Sequence, residues 1–162
     1  VLGLTMGMQP IVGYNFGAQK IDRVKQTLKL GIVSGVVITS SGFFICELFP
    51  HAVSAIFTDS DHLIDLAVDG LRITVIMFPF VGAQIVIGNF FQSIGKAKIS
   101  IFLSLTRQLL YLLPCLLLFP NWWGLKGIWI SMPVSDALAF ITAVISLIIY
   151  IKKVSKQHLI AE

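Results

Sequence analysis

The sequence predicts an all-α integral membrane protein, a polytopic bundle of about five transmembrane helices. Three observations lead there. Of 162 residues, 56% are hydrophobic and only 12% are charged, and the mean hydropathy is +0.89. A soluble domain carries about a quarter of its residues as charges, so this chain lacks the polar groups to wet a globular surface. The apolar residues gather into five stretches, each long enough for a hydrocarbon core of ~30 Å at ~1.5 Å per residue. The basic residues, finally, gather in every second loop, at one end of those stretches. No stretch alternates apolar and polar with period two, which argues against a barrel. Helices are the other structure that satisfies every backbone polar group in lipid.

The first stretch, residues 1–18, is interrupted by Gln9-Pro10, Gly13 and Gly17. The chain opens inside it at Val1, without an initiator Met or a signal pattern. The expectation is an N-terminally truncated fragment of a longer protein. The second stretch, 28–49, ends where Pro50 cannot continue a helix. The third, 62–94, has Asp61 as its expected N-cap and Pro79 as an interruption. The fourth, 99–119, carries Pro114 and stops at Pro120-Asn121. The fifth, 125–151, holds Pro133 near its start and is closed by Lys152-Lys153, leaving 152–162 as a tail.

Loop charges orient these spans. Lys20, Arg23, Lys25 and Lys29, then Lys96 and Lys98, then Lys152, Lys153 and Lys156 fall at one end, nine basic residues against Lys126 alone at the other. The second loop has no Lys or Arg but carries Asp59, Asp61, Asp65 and Asp69. By the positive-inside rule the tail is cytoplasmic and the first helix descends from outside to inside. The expected location is the plasma (inner) membrane, multi-pass.

The same reading disposes of other classes. The net charge of +4 reflects topology signals, and no basic run interleaves with aromatics, so nucleic acid is not an expected partner. Cys46 and Cys115 lie in apolar stretches as small hydrophobes. His51, His62 and His158 sit in loops or the tail, without HExxH, zinc spacing, GxSxG or a P-loop. No enzyme, metal site or organic cofactor is expected.

A sparse set of polar groups remains at membrane depth. Arg107, about eight residues into the fourth stretch, costs at least ~2.5 kcal/mol at a helix centre unless it is paired or wetted. Either it has a coupling or gating role, or it snorkels to the basic interface. Asp136 either binds a cation or proton or sits wetted at the outer interface; Glu47 reads as interfacial. Gln84 and Gln92 share a face of the third stretch, with Asn89 between them, and amides either meet a ligand or join helices. In the first stretch Gln9, Tyr14 and Asn15, with Met6, Met8 and Phe16, surround Pro10. They form either a polarizable wall for flat cations or a kinked packing helix.

The string Gly7-Met8-Gln9-Pro10-Ile11-Val12-Gly13-Tyr14-Asn15-Phe16-Gly17-Ala18 resembles the end of the eighth helix of the multidrug and toxic compound extrusion (MATE) family. Further matches follow in order: Phe57-Thr58-Asp59, Phe91 to Ala97, Ser104 to Gln108 with Pro114, and Gly124 to Trp129 with Pro133 and Asp136. The resemblance implies helices eight to twelve, most of the C-terminal lobe of a twelve-helix antiporter. It implies export of lipophilic cationic small molecules by alternating access, driven by Na⁺ or H⁺, with the bilayer and the N-terminal lobe as partners. Gln9, Tyr14, Asn15 and Gln84 are then expected to line the cavity, and Arg107 and Asp136 to couple or gate. Two alternatives stand beside it, a lipid-linked precursor flippase of the same superfamily and a membrane scaffold subunit.

Overall fold

The computed structural model describes the backbone of residues 1–161 and side chains through residue 154; the remainder of the expected tail lies outside the described residues. The described residues are helical almost throughout, without a strand. In order they form α1 (Leu2–Gly17), α2 (Ile21–Leu48), a short α3 (Pro50–Ala55) and α4 (Asp61–Thr74). A 3₁₀ turn (Val75–Met77) leads into α5 (Phe78–Ser93), followed by α6 (Ala97–Leu105), a π-helical segment (Thr106–Leu112) and α7 (Leu113–Ala161).

Three unbroken helical stretches are long and apolar enough to cross a membrane: Ile21–Leu48, Asp61–Ser93 and Ala97–Val154. The last has 58 residues and would reach ~87 Å if straight, nearly three hydrocarbon thicknesses. It is not straight. Gly124 leaves helical geometry at φ 55°, ψ −134°, a conformation that a residue without a Cβ adopts most readily. Beyond it, a Cβ at Gly127 would strike the Phe119 carbonyl and the Pro120 nitrogen. Residues eight apart lie ~12 Å apart along a straight helix, so the chain doubles back here. α7 therefore has two limbs, 113–123 and 125–161. The reversal sits at Gly124 rather than at the expected Pro120-Asn121, because the backbone angles it needs are a glycine's.

Two other boundaries differ from expectation for identifiable reasons. α2 begins at Ile21 rather than near Leu28, and only residues 18–20 separate it from α1. Arg23, Lys25 and Lys29 thus belong to the helix, where long stems can lie along it while the charged heads stay in interfacial water. Asp22 in the first turn complements the helix dipole. Ser60, not Asp61, is the N-cap of α4; Asp61 is its first residue, where a carboxylate also favours the helix start. Pro79 falls in the first turn of α5, where its missing N–H leaves no bond unmade.

α5 is the central helix, packed on α2, α1, α6 and α7. Its Val86, Ile87, Phe90 and Phe91 meet Met8 and Val12 of α1, Val24 and Leu28 of α2, Leu103 of α6, and Ala143 and Leu147 of α7 in one buried cluster. Outside it the bundle is apolar again: Leu30, Val33 and Val37 on α2 and Ile141, Ile145 and Ile148 on α7 are all exposed. That is the surface a bilayer requires.

Lipid offers apolar side chains no gain from meeting one another, so close helix approach rests on small residues. The α2–α5 seam shows this. A Cβ on Gly82 would run into the Gly35 carbonyl and the Thr39 hydroxyl. Thr39 itself donates to the Gly35 carbonyl at 2.9 Å. Gly82→Ala is therefore expected to cost about 1–3 kcal/mol, as overpacking does. Gly88→Ala, whose new Cβ meets nothing within 4 Å, should be neutral or slightly stabilising. Thermal unfolding of the two variants in detergent decides it; equal melting temperatures would remove the seam from the account.

Candidate functional site

A cleft of about 300 Å³ opens between α5 and the α6–π segment. Gln84, Asn89 and Gln92 line it from α5, and Ser100, Ser104, Arg107 and Gln108 face them. In a bundle whose outer surface is apolar, this cleft is about half polar, with Ile85, Gly88 and Leu103 completing its walls.

Local sequence explains both walls. On α5 the Asn89 amide donates one N–H to the Ile85 carbonyl at 3.0 Å, which leaves its second N–H and its oxygen for the cleft. Gln84 is buried, 8% exposed, and its Oε1 has no hydrogen-bond partner among the described residues. An orphaned buried acceptor costs about 1–3 kcal/mol. On the facing wall Ser100, Ser104 and Gln108 recur every fourth residue, which puts them on one helix face. The helix then widens into the π segment, held at its start by Thr106, whose hydroxyl donates to the Phe102 carbonyl at 2.7 Å. π-helical turns are rare and are found disproportionately at functional sites.

From this segment Arg107 reaches the second limb of α7. Its Nε donates to Asp136 Oδ1 at 2.8 Å, the one ion pair among the described residues. The partners are unequally placed, the Asp136 side chain 8% exposed and that of Arg107 37%. The guanidinium thus stands between the cleft and the carboxylate. The bond uses Nε, leaving the two terminal amino groups outside it. Asp136 is flanked by Ser131 and Ser135, both fully buried, whose hydroxyls donate to the Gly127 and Met132 carbonyls. These hydroxyls are satisfied by their own helix.

A second link joins the same elements. Thr142 donates its hydroxyl proton to the Leu138 carbonyl at 2.9 Å, so Tyr111 is the donor in the 2.8 Å bond between the two hydroxyls. The π segment is thereby tied to α7 at Arg107 and at Tyr111.

Of the residues singled out in the sequence, the structure brings Arg107 and Asp136 together and sets Gln84 in the adjoining cleft with Asn89 and Gln92. Asn15 is buried on α1, its amide donating to the Ile11 carbonyl at 2.8 Å and its Oδ1 unpartnered. Gln9 and Tyr14 lie on the exposed side of α1, Tyr14 at 74% exposure. They do not line the cleft. Ser100, Tyr111 and Thr142 are members of this constellation that sequence reasoning passed over. The four-residue spacing to Ser104 and Gln108 marks Ser100, whereas nothing local marks the other two.

The MatE family model matches residues 1–117. The chain is 25% identical over 152 residues to the multidrug export protein MepA of Staphylococcus aureus (strain MSSA476), covering 93% of this chain and 33% of that protein. Among solved structures, one described as "protein A" superposes with a TM-score of 0.85 at 38% identity, covering 90% of this chain and 33% of that one. An inward-facing multidrug resistance MATE family transporter of the MOP superfamily superposes at 0.89 with 20% identity, covering 96% and 36%. The chain thus spans about a third of the length of each relative. With the apolar spanning helices, the matched family model and the shared backbone in agreement, this multi-pass membrane chain belongs to the MatE family.

Proposed function

We propose that this chain forms most of one lobe of a multidrug efflux antiporter in the plasma membrane, its basic end in the cytoplasm. An N-terminal lobe supplies the other side of the cavity. Na⁺ or H⁺ entering down its gradient drives lipophilic cations out by alternating access. The name of the staphylococcal relative, multidrug export protein, supports the substrate class. The observation that carries the reading is the Arg107–Asp136 pair at the edge of a polar cleft.

The chemistry follows from charge. Paired with Arg107, Asp136 makes the site neutral, and an organic cation can occupy the cleft. A proton or Na⁺ arriving at Asp136 takes the carboxylate's charge and leaves the guanidinium unpaired beside the cleft. Two unit charges ~8 Å apart repel by ~2 kcal/mol at an effective dielectric constant of ~20, enough to favour one cation over two. Drug and coupling ion then exclude one another, which is what antiport demands. Gln84 Oε1, a buried acceptor without a partner, would accept an N–H from a ligand that displaces the side chains covering it.

A flippase for lipid-linked anionic precursors would want several cations along the cavity. Arg107 is the one cationic side chain on this cleft, already paired with a carboxylate, and the drug-efflux reading is the better fit.

In cells expressing the complete protein, ethidium efflux should be lost when the ion gradient is collapsed, and exchanging Na⁺ for H⁺ gradients should name the driver. Removing Arg107 strands the buried Asp136 carboxylate, which costs up to about 3–5 kcal/mol, whereas removing Asp136 leaves a partly exposed guanidinium and costs less. Arg107→Gln and Asp136→Asn should each lower efflux at least tenfold and also lower the melting temperature. The double variant should recover stability but not gradient dependence. Wild-type efflux from both well-expressed single variants would sink the assignment.

Gln84→Leu offers a separate check. It removes an unsatisfied buried acceptor, so stability should hold or rise. Export of cations bearing an N–H should fall severalfold relative to a quaternary phosphonium without one. Equal export of both ligand types would exclude Gln84 from the binding surface.

A further inference from the structure

A second and larger hollow lies at the basic end of the bundle, away from the Arg107–Asp136 pair. Its volume is about 1000 Å³. It is bounded by the end of α1, the α5–α6 turn, α6 and the last turns of α7, with Phe16, Lys96, Phe102, Ser146, Tyr150 and Lys153 on its walls. The walls are graded along the membrane normal. Lys96 and Lys153 mark the end of the bundle, while Phe102 and Ser146 lie six and seven residues further along their helices, ~10 Å deeper at ~1.5 Å per residue. Its aromatic side is rigid, because Tyr150 packs edge-on against Phe91 at 5.5 Å and Phe90 at 6.4 Å. A smaller apolar recess sharing Phe16 and Tyr150 opens beside it, lined by Val24, Leu28 and Phe90.

Charge decides what fits. Neither lysine has a carboxylate within ion-pair distance among the described residues, so the described walls set two positive charges over an apolar floor. An organic cation of the transported kind is repelled there. A ligand with an anionic head and an apolar tail meets both halves, the head at Lys96 and Lys153 and the tail along Phe16 and Phe102. Basic pockets between transmembrane helices on the cytoplasmic side hold acidic lipid head groups in this way. We propose that this groove is a binding site for an anionic phospholipid of the leaflet at the basic end of the bundle, phosphate at Lys96 and Lys153, acyl chain between α6 and α7. The occupant bridges the α5–α6 turn to α7 at Lys153.

The test uses the complete protein, purified and placed in nanodiscs of phosphatidylcholine with a minor share of phosphatidylglycerol. Native mass spectrometry after mild release reads which lipid stays bound. Wild-type protein is expected to retain phosphatidylglycerol preferentially. A lysine set against an acidic head group contributes about fivefold to its affinity, so Lys96→Gln with Lys153→Gln should cost roughly thirtyfold in retention. The paired control, Lys98→Gln with Lys152→Gln, removes the same net charge from neighbouring positions off the groove and should leave retention unchanged.

Equal loss in both double variants would reduce the effect to general surface charge and overturn the site. So would equal retention of the two lipids, or displacement of phosphatidylglycerol by millimolar inorganic phosphate, which marks a bare anion site. As a check independent of the lysines, Ile99→Trp on the groove wall should gain fluorescence that brominated phosphatidylglycerol quenches more than brominated phosphatidylcholine. Equal quenching overturns the proposal even where the lysine variants fold poorly.

Discussion

A hydrocarbon surround offers no hydrogen bonds, and that constraint explains nearly every polar side chain in the bundle. In lipid an unsatisfied donor or acceptor is costly, and the chain meets this by folding hydroxyls and amides back onto their own helices. Thr5 donates to the Leu2 carbonyl, Ser41 to Val37, Ser93 to Asn89, Ser131 to Gly127 and Ser146 to Thr142. Against this background the exceptions stand out. Arg107 bonds across to Asp136, Tyr111 bonds across to Thr142, and Gln84 and Asn15 each keep a buried oxygen with no partner among the described residues. All but Asn15, which lies on α1, are in or beside one cleft.

The same constraint shapes the breaks in the helices. Each departure from α geometry lies where the chain brings chemistry or closeness into place. The 3₁₀ turn at Val75–Met77 lets α5 take Pro79 in its first turn without losing a bond, and three residues after that proline Gly82 meets Gly35. The π segment begins at Thr106, one residue before the arginine that crosses to α7. The reversal at Gly124 returns the chain so that Asp136, twelve residues on, comes level with that arginine. The ion pair is thus a product of two irregularities acting together, and a straight-helix version of this sequence would not make it.

This is also why the site was only half legible in the sequence. Composition and loop charge sufficed for an all-helical membrane bundle, since each depends on sums over many residues. Arg107 and Asp136 stood out singly because an ionisable group at membrane depth is expensive wherever it occurs. Their pairing was not visible. They are 29 residues apart, and the register between them is set by a π segment that no periodicity signals. Gln84 stood out as an amide in an apolar run, but its orphaned oxygen is a property of its neighbours. The start of α2 was misplaced for a related reason: Arg23, Lys25 and Lys29 read as loop because they are charged, whereas in an interfacial helix charge and helix coexist.

Which partner of the pair can let go is settled by burial and side-chain length. Asp136 is short, almost fully covered and fixed on a helix whose neighbouring serines are internally bonded. It has nowhere to turn. Arg107 has four rotatable bonds, lines the open cleft, is more than a third exposed, and sits on a segment with irregular hydrogen bonding. Moving the guanidinium into the cleft brings it toward Gln84, Asn89 and Gln92, which line the same cleft and offer amide oxygens to solvate it, while the carboxylate left behind stays almost fully buried. An unpaired carboxylate in that setting is the high-energy species, so in the antiport proposed above release of Arg107 would follow the arrival of another cation at Asp136. The order which that proposal requires, ion on before arginine off, rests on the asymmetry of exposure within a single 2.8 Å bond.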